Sequence, residues 1–286
     1  MKRIGVIANL SKPRAAEVLR AVAVSARQHG LRLFADVETA RLADGMEPVA
    51  GAALFDRVEA VMALGGDGTM LRAVRELDGR DTAIMGLNIG SLGFLTSVQE
   101  EDMNRAMLCL AKDDFVTGVR RMAECRVVRG DVEVGRYRAL NDVVLQHGPS
   151  SRVIGLRLEV DGQQVTEYSC DGLIVSTPTG STGHSLSAGG PIVSPDTRAF
   201  VISLICPHTL SSRPLVLPDT SRIAVEVADA SEDIALTVDG QVGRNVSRGD
   251  RVTVHLSDRH VRFIHMPGHS YFSVLRQKLH WSGSNV

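Results

Sequence analysis

The sequence predicts two domains: an α/β domain built on a parallel sheet, followed by a mainly antiparallel β-sandwich domain. Three observations carry this. Short apolar runs alternate with helix-period segments from the N-terminus to about residue 115. Beyond about residue 118 that alternation stops, and short β-rich runs separated by turn residues follow one another. At 286 residues the chain is also long for one average domain. The expected boundaries are 1–117 and 118–265, with the tail 266–286 packing back on the first domain.

In order, Ile4 to Ala8 reads as a buried parallel strand. Ser11 is the expected N-cap and Pro13 a first-turn residue of a helix over Ala15 to Gln28, which Gly30 closes. Leu31 to Ala35 is the next strand, and residues 36–56 read as loop and short helix. The apolar run Val58 to Leu64 leads into Gly65-Gly66-Asp67-Gly68-Thr69, with Met70 to Leu77 helical after it. Ala83 to Ile89 leads into a second glycine loop, Gly90-Ser91-Leu92-Gly93-Phe94-Leu95, and Glu100 to Lys112 is again helical. This order implies a Rossmann-like parallel sheet covered on both faces, with ligands beyond the carboxyl ends of its strands, where both glycine loops fall.

The β-rich runs of the second domain are 123–129, 132–140, 143–147, 153–160, 163–168, 213–217, 222–228, 234–238, 251–256 and 260–265. Arg129-Gly130-Asp131 and Asp161-Gly162 supply hairpin turns between them. Thr197 to Ile205 reads as a helix or equally as a buried strand. In the tail, a helix would place Phe272, Leu275 and Leu279 on one face.

Composition narrows the function. Hydrophobic residues at 44% and charged ones at 23% describe a chain that buries a real core. A net charge of −1 offers no polyanion-binding surface, so nucleic acid is not an expected partner. Cys109, Cys125, Cys170 and Cys206 lack any Cys-x-x-Cys pairing, which fits reduced thiols better than zinc or a disulfide framework. The N-terminal apolar run is too short for a signal segment, and no stretch approaches the ~18 apolar residues of a membrane span. The expectation is a soluble, cytoplasmic protein with no membrane partner.

Strand, tight glycine turn, then helix brings backbone N–H groups up to phosphate. The turn at Gly65–Thr69 does so around one carboxylate, Asp67, and lacks the Lys-Ser/Thr ending of a P-loop. Gly90-Ser91-Leu92-Gly93 alone reads equally as a packed turn or a ligand contact. Asn141-Asp142 sits before an apolar strand, as a simple turn or as a pair recognising a nucleobase edge or ribose. The segment Asp171 to Pro191 runs a strand into a dense cluster of hydroxyls and glycines, suited to phosphate and ribose. Within it His184 is placed to stack on a base or titrate near neutral pH. Asp239-Gly240-Gln241 reads by itself as a hairpin turn, and the other histidines show no metal-ligand spacing.

Taken together, Gly65-Gly66-Asp67-Gly68-Thr69, Asn141-Asp142, Thr177-Pro178-Thr179-Gly180-Ser181-Thr182 and Asp239-Gly240-Gln241 resemble the NAD kinase family. The resemblance covers nearly the whole chain, including Ser270-Tyr271-Phe272 in the tail. It implies ATP-dependent phosphorylation of the adenosine ribose 2′-hydroxyl of NAD, giving NADP, with a divalent cation, Mg²⁺ foremost. It implies that Asp67 accepts the hydroxyl proton, that Gly68 approaches the substrate closely, and that Arg72 reaches phosphate. It further implies that Asn141, Asp142, Arg152, Asp171, Thr182, Gly183, His184, Ser185, Leu186, Ser187 and Gln241 bind substrate, and that the chain forms homodimers or homotetramers. Two departures stand out: Thr182-Gly183-His184 replaces the family's usual Thr-Ala-Tyr, and Ser169 stands where relatives often carry a basic side chain. A lipid kinase of related fold and a non-catalytic dinucleotide sensor are the alternatives.

Overall fold

A computed structural model describes residues 1–148, 153–230 and 234–281. The chain divides into two compact units: Met1–Val119 together with the chain from Val261, and Arg120–His260.

The first unit is a parallel sheet with helices. Its elements are β1 (Arg3–Ala8), α1 (Ala15–Gln28), β2 (Arg32–Ala35), α2 (Val37–Ala40), β3 (Met46–Pro48), α3 (Ala53–Arg57), β4 (Ala60–Gly65), α4 (Asp67–Leu77), β5 (Ala83–Asn88) and α5 (Met103–Lys112). The strands lie in the order β3-β2-β1-β4-β5, all parallel, with Ile4 opposite Ala60 and Ala60 opposite Ala83. All six residues of β4 and of β5 are buried, as expected of strands covered on both faces. The strand order reverses between β1 and β4, so the crevice beyond their carboxyl ends is where such a sheet takes a ligand.

The second unit is a sandwich. Its strands are the latter part of β6 (Val116–Arg129), β7 (Val132–Ala139), β8 (Asp142–Gln146), β9 (Ile154–Val160), β10 (Gln163–Cys170), β11 (Gly172–Ser176), β12 (Ala199–Ile205), β13 (Leu215–Pro218), β14 (Ile223–Asp229), β15 (Ile234–Val238), β16 (Val242–Val246) and the first part of β17 (Arg251–His265). One sheet runs β13-β12-β11-β8-β15-β16, and every neighbouring pair is antiparallel. The other joins β10, β9, β14 and β17, with β6 and β7 paired at its side. Alternate residues of both sheets, among them Val143, Leu145, Leu173, Leu156, Val225 and Val252, share one apolar core.

One open reading closes and three local expectations change. The run around Thr197–Ile205 is the strand β12, not a helix. Its Phe200, Ile202 and Leu204 face the core while Val201 and Ser203 are also buried, so a strand covered on both sides shows no alternation. Ser11 caps nothing: its hydroxyl and N–H both turn to Asn9 Oδ1, at 2.7 and 3.1 Å, and α1 starts at Ala15 without a side-chain cap. Residues 36–56 contain a short strand, β3, beside the two short helices. The tail helix α7 (Tyr271–Lys278) is started by Ser270, whose side chain accepts from the Ser273 N–H. That phase buries Val274 and Leu275 and leaves Phe272 64% exposed, rather than burying Phe272. The tail belongs to the first unit, where Lys278 Nζ lies 5.7 Å from the Phe94 ring centre.

Candidate active site

In the first unit, Gly66 takes an extended conformation at the N-cap of α4, and Asp67 is the first helical residue. A carboxylate there is stabilised by the exposed N–H groups of the first turn. Gly65 is closely packed: an added Cβ would lie 2.1 Å from Thr69 Oγ1, so the Thr69 side chain would have to shift. Gly66 and Gly68, in contrast, have open space where a Cβ would stand, so the protein's own packing does not demand glycine there.

Asp67 does not hang free in the turn. Its Oδ2 accepts the Phe94 N–H and its Oδ1 the Leu95 N–H, both at 2.9 Å. A Cβ on Gly93 would stand 1.9 Å from Asp67 Oδ1. The second glycine loop is therefore a clamp on the carboxylate. Arg72 folds back: its Nη2 donates to the Ala8 carbonyl at 2.8 Å, and its Nε lies 3.6 Å from Glu76. As placed, it secures the end of β1. Asn88, at the end of β5, donates to the Gly90 carbonyl while its buried Oδ1 has no partner among the described residues. Sequence reading passed over Asn88 because it closes an apolar strand.

In the second unit the polar residues gather around Asn141. Its carbonyl accepts the Thr177 N–H at 2.8 Å, and Thr177 Oγ1 donates to the Leu140 carbonyl at 2.5 Å. Gly180 sits so close that a Cβ would be 2.2 Å from the Asn141 carbonyl oxygen. The Asn141 side-chain Oδ1 is buried without a partner among the described residues. A buried orphan acceptor is costly, and a ligand donor is one way to satisfy it. Asp142 opens β8 opposite Ser176 and is 6% exposed. Burial, and then the neighbouring Asp239 carboxylate, push its carboxyl up to about 7.

The hydroxyl-rich loop is ordered. Thr179–Thr182 form one tight turn, and His184–Ser187 the short helix α6. Thr182 is buried, with Oγ1 3.4 Å from the Thr179 carbonyl. Ser185 is fully buried and its hydroxyl pairs with Ser203 at 3.0 Å, so it fixes α6 on β12. Gly183 and Leu186 are half-buried; His184 and Ser187 are exposed. Asp171 is half-buried, 3.9 Å from His147 Nε2, and accepts the Cys206 thiol. Gln241 is exposed in the β15–β16 turn. Arg152 lies outside the described residues.

Comparison with known proteins follows the same line. A family model of the ATP-NAD kinase N-terminal domain matches residues 4–115, and one of the C-terminal domain matches residues 140–266. An NAD kinase of Syntrophotalea carbinolica is 41% identical over 98% of this chain and 99% of its own length. The chain belongs to the NAD kinase family. An NAD kinase of Gemmatimonas aurantiaca is 45% identical over 79% of this chain and 78% of its own. Among solved structures, yeast NADH kinase complexed with NADH matches at a TM-score of 0.91 and 23% identity, covering 100% of this chain and 89% of that one. An NAD kinase from Archaeoglobus fulgidus in complex with ATP matches at 0.75 and 24%, covering 98% and 100%. At those identities the two structures speak for the fold. The family makes the chain a phosphotransferase and lends no support to the lipid-kinase or sensor readings.

Proposed function

We propose that the protein transfers the terminal phosphoryl group of ATP to the 2′-hydroxyl of the adenosine ribose of NAD, giving NADP and ADP. The observation that carries the chemistry is the Asp67 carboxylate, fixed by the Phe94 and Leu95 N–H groups in a turn whose glycines leave room. A carboxylate has about four lone-pair sites, so two N–H bonds leave it able to take a proton. Asp67 accepts the 2′-hydroxyl proton as that oxygen attacks, help worth roughly 10²–10⁴ in rate. The rest of the rate comes from positioning and charge neutralisation. Gly68 admits the substrate; Asn141 and Asp142 recognise the nucleoside; Asp171, the stretch Thr182 to Ser187, and Gln241 complete the dinucleotide site.

Among the described residues no group of three or more His, Cys, Asp or Glu side chains offers a metal site. The divalent cation, Mg²⁺ by our reading, enters with the ATP phosphates and neutralises their charge there. No helix among the described residues is long and apolar enough to cross a membrane. We place the enzyme in the cytoplasm, as a homodimer or homotetramer. Incubation with labelled ATP, Mg²⁺ and either NAD, NADH or a sphingoid base tests the substrate reading. Labelled NADP is the expected product, and label in the lipid alone contradicts it.

A further inference from the structure

We infer that Asp239 is a positioning residue that holds the backbone of Leu140–Asp142 so that the Asn141 and Asp142 side chains stay free to grip the dinucleotide. The inference rests on the proposed substrate-binding role of those two side chains.

Asp239 and Gly240 both have positive φ, +53° and +62°, and join β15 to β16. Such a turn is made as well by Asn-Gly or Gly-Gly, so the fold of the hairpin does not call for a carboxylate. Yet the carboxylate binds the connection from β7 to β8. Its Oδ2 accepts the Leu140 N–H at 2.9 Å, and its Oδ1 accepts the N–H groups of Asn141 at 2.7 Å and Asp142 at 3.1 Å. Its own N–H donates to the Asp142 carbonyl at 3.0 Å.

Three successive N–H groups thus converge on one side chain. The carbonyls of the same residues are held from elsewhere: Leu140 by Thr177 Oγ1, Asn141 by the Thr177 N–H and Ser176 hydroxyl, Asp142 by Asp239. Every backbone polar group of Leu140–Asp142 is therefore satisfied by protein. What is left over is side chain: the orphan Oδ1 of Asn141 and the buried carboxyl of Asp142. Fixing a backbone in advance spares the ordering cost that binding otherwise incurs.

Asp142 gives the arrangement a signature that a merely structural residue lacks. It pairs with Ser176 of β11, and the charge acting on it is that of Asp239. Replacing Asp239 by a neutral group favours ionised Asp142, so its titration moves to lower pH.

The test uses the full chain carrying Asp239→Asn, which keeps the left-handed turn and one acceptor, and Asp239→Gly, which keeps the turn alone. Amide hydrogen exchange is followed at Leu140, Asn141 and Asp142, and kcat and KM for NAD and ATP are measured from about pH 5 to 9. The expected result is faster exchange at those amides and a KM for NAD raised about tenfold, more in the Gly variant. The KM for ATP and kcat should hold within about threefold. The NAD-KM inflection should move to lower pH in both variants. Unchanged exchange overturns the clamp, and faster exchange with an unchanged KM for NAD overturns its positioning role. Failure of the wild-type chain to make NADP overturns the reading of function instead, while exchange still reports on the clamp.

Discussion

The Leu95 N–H donates to Asp67 Oδ1 at 2.9 Å, tying the second glycine loop to the carboxylate of the first. Gly93 makes the approach possible, since a Cβ there would stand 1.9 Å from the same oxygen. Gly93→Ala must push the Asp67 side chain aside. We expect kcat to fall by on the order of 10²-fold, the cost of misplacing a reacting group by about 1 Å. NAD affinity, measured by titration calorimetry, should stay within about threefold. Normal turnover in this variant shows that the clamp is irrelevant to catalysis.

Asp142 makes stability depend on pH. Burial, and then the Asp239 carboxylate beside it, push its carboxyl from an ordinary 3.8 up to about 7 in the folded chain. Between those values the folded state binds more protons than the unfolded one, so stability falls as pH rises. The contribution is fully present below the unfolded value and is gone above about 7. Asp142→Asn should therefore gain stability relative to wild type between about pH 4.5 and 7.5, by a few kcal/mol at most. Parallel denaturant titrations of both proteins check it, and a pH-independent difference contradicts it.

Chelating the divalent cation should abolish turnover by more than about 10², because phosphate charge would go unneutralised. The rise in melting temperature that NAD causes should survive chelation, since the proposed dinucleotide contacts are made by protein groups. Loss of that shift places a cation in the dinucleotide site.

Much of this was legible in residues, and what was missed has physical causes. The parallel strands β1, β4 and β5 announced themselves because they are apolar on both faces, and β4 and β5 also lead into glycine turns. The strand β12 was ambiguous for the same reason: burial on both sides erases the period-two pattern that separates strand from helix. Asp67 could be chosen from its turn, yet Gly93, Phe94 and Leu95 act on it through N–H groups and the lack of a Cβ. No local pattern reveals that. Asp239 looked like an ordinary hairpin residue because its partners lie 97 to 99 positions away in the chain. The resemblance sends Arg72 toward phosphate, but no sequence pattern shows that its guanidinium turns to the Ala8 carbonyl.

The central claim is that Asp67 performs chemistry and does not merely shape the turn. The direct measurement is NADP formation from NAD, ATP and Mg²⁺ by Asp67→Asn, with NAD affinity determined on the same preparation. Turnover should fall by roughly 10²–10⁴ with affinity nearly unchanged. Turnover close to that of the wild type, with NAD bound normally, contradicts it.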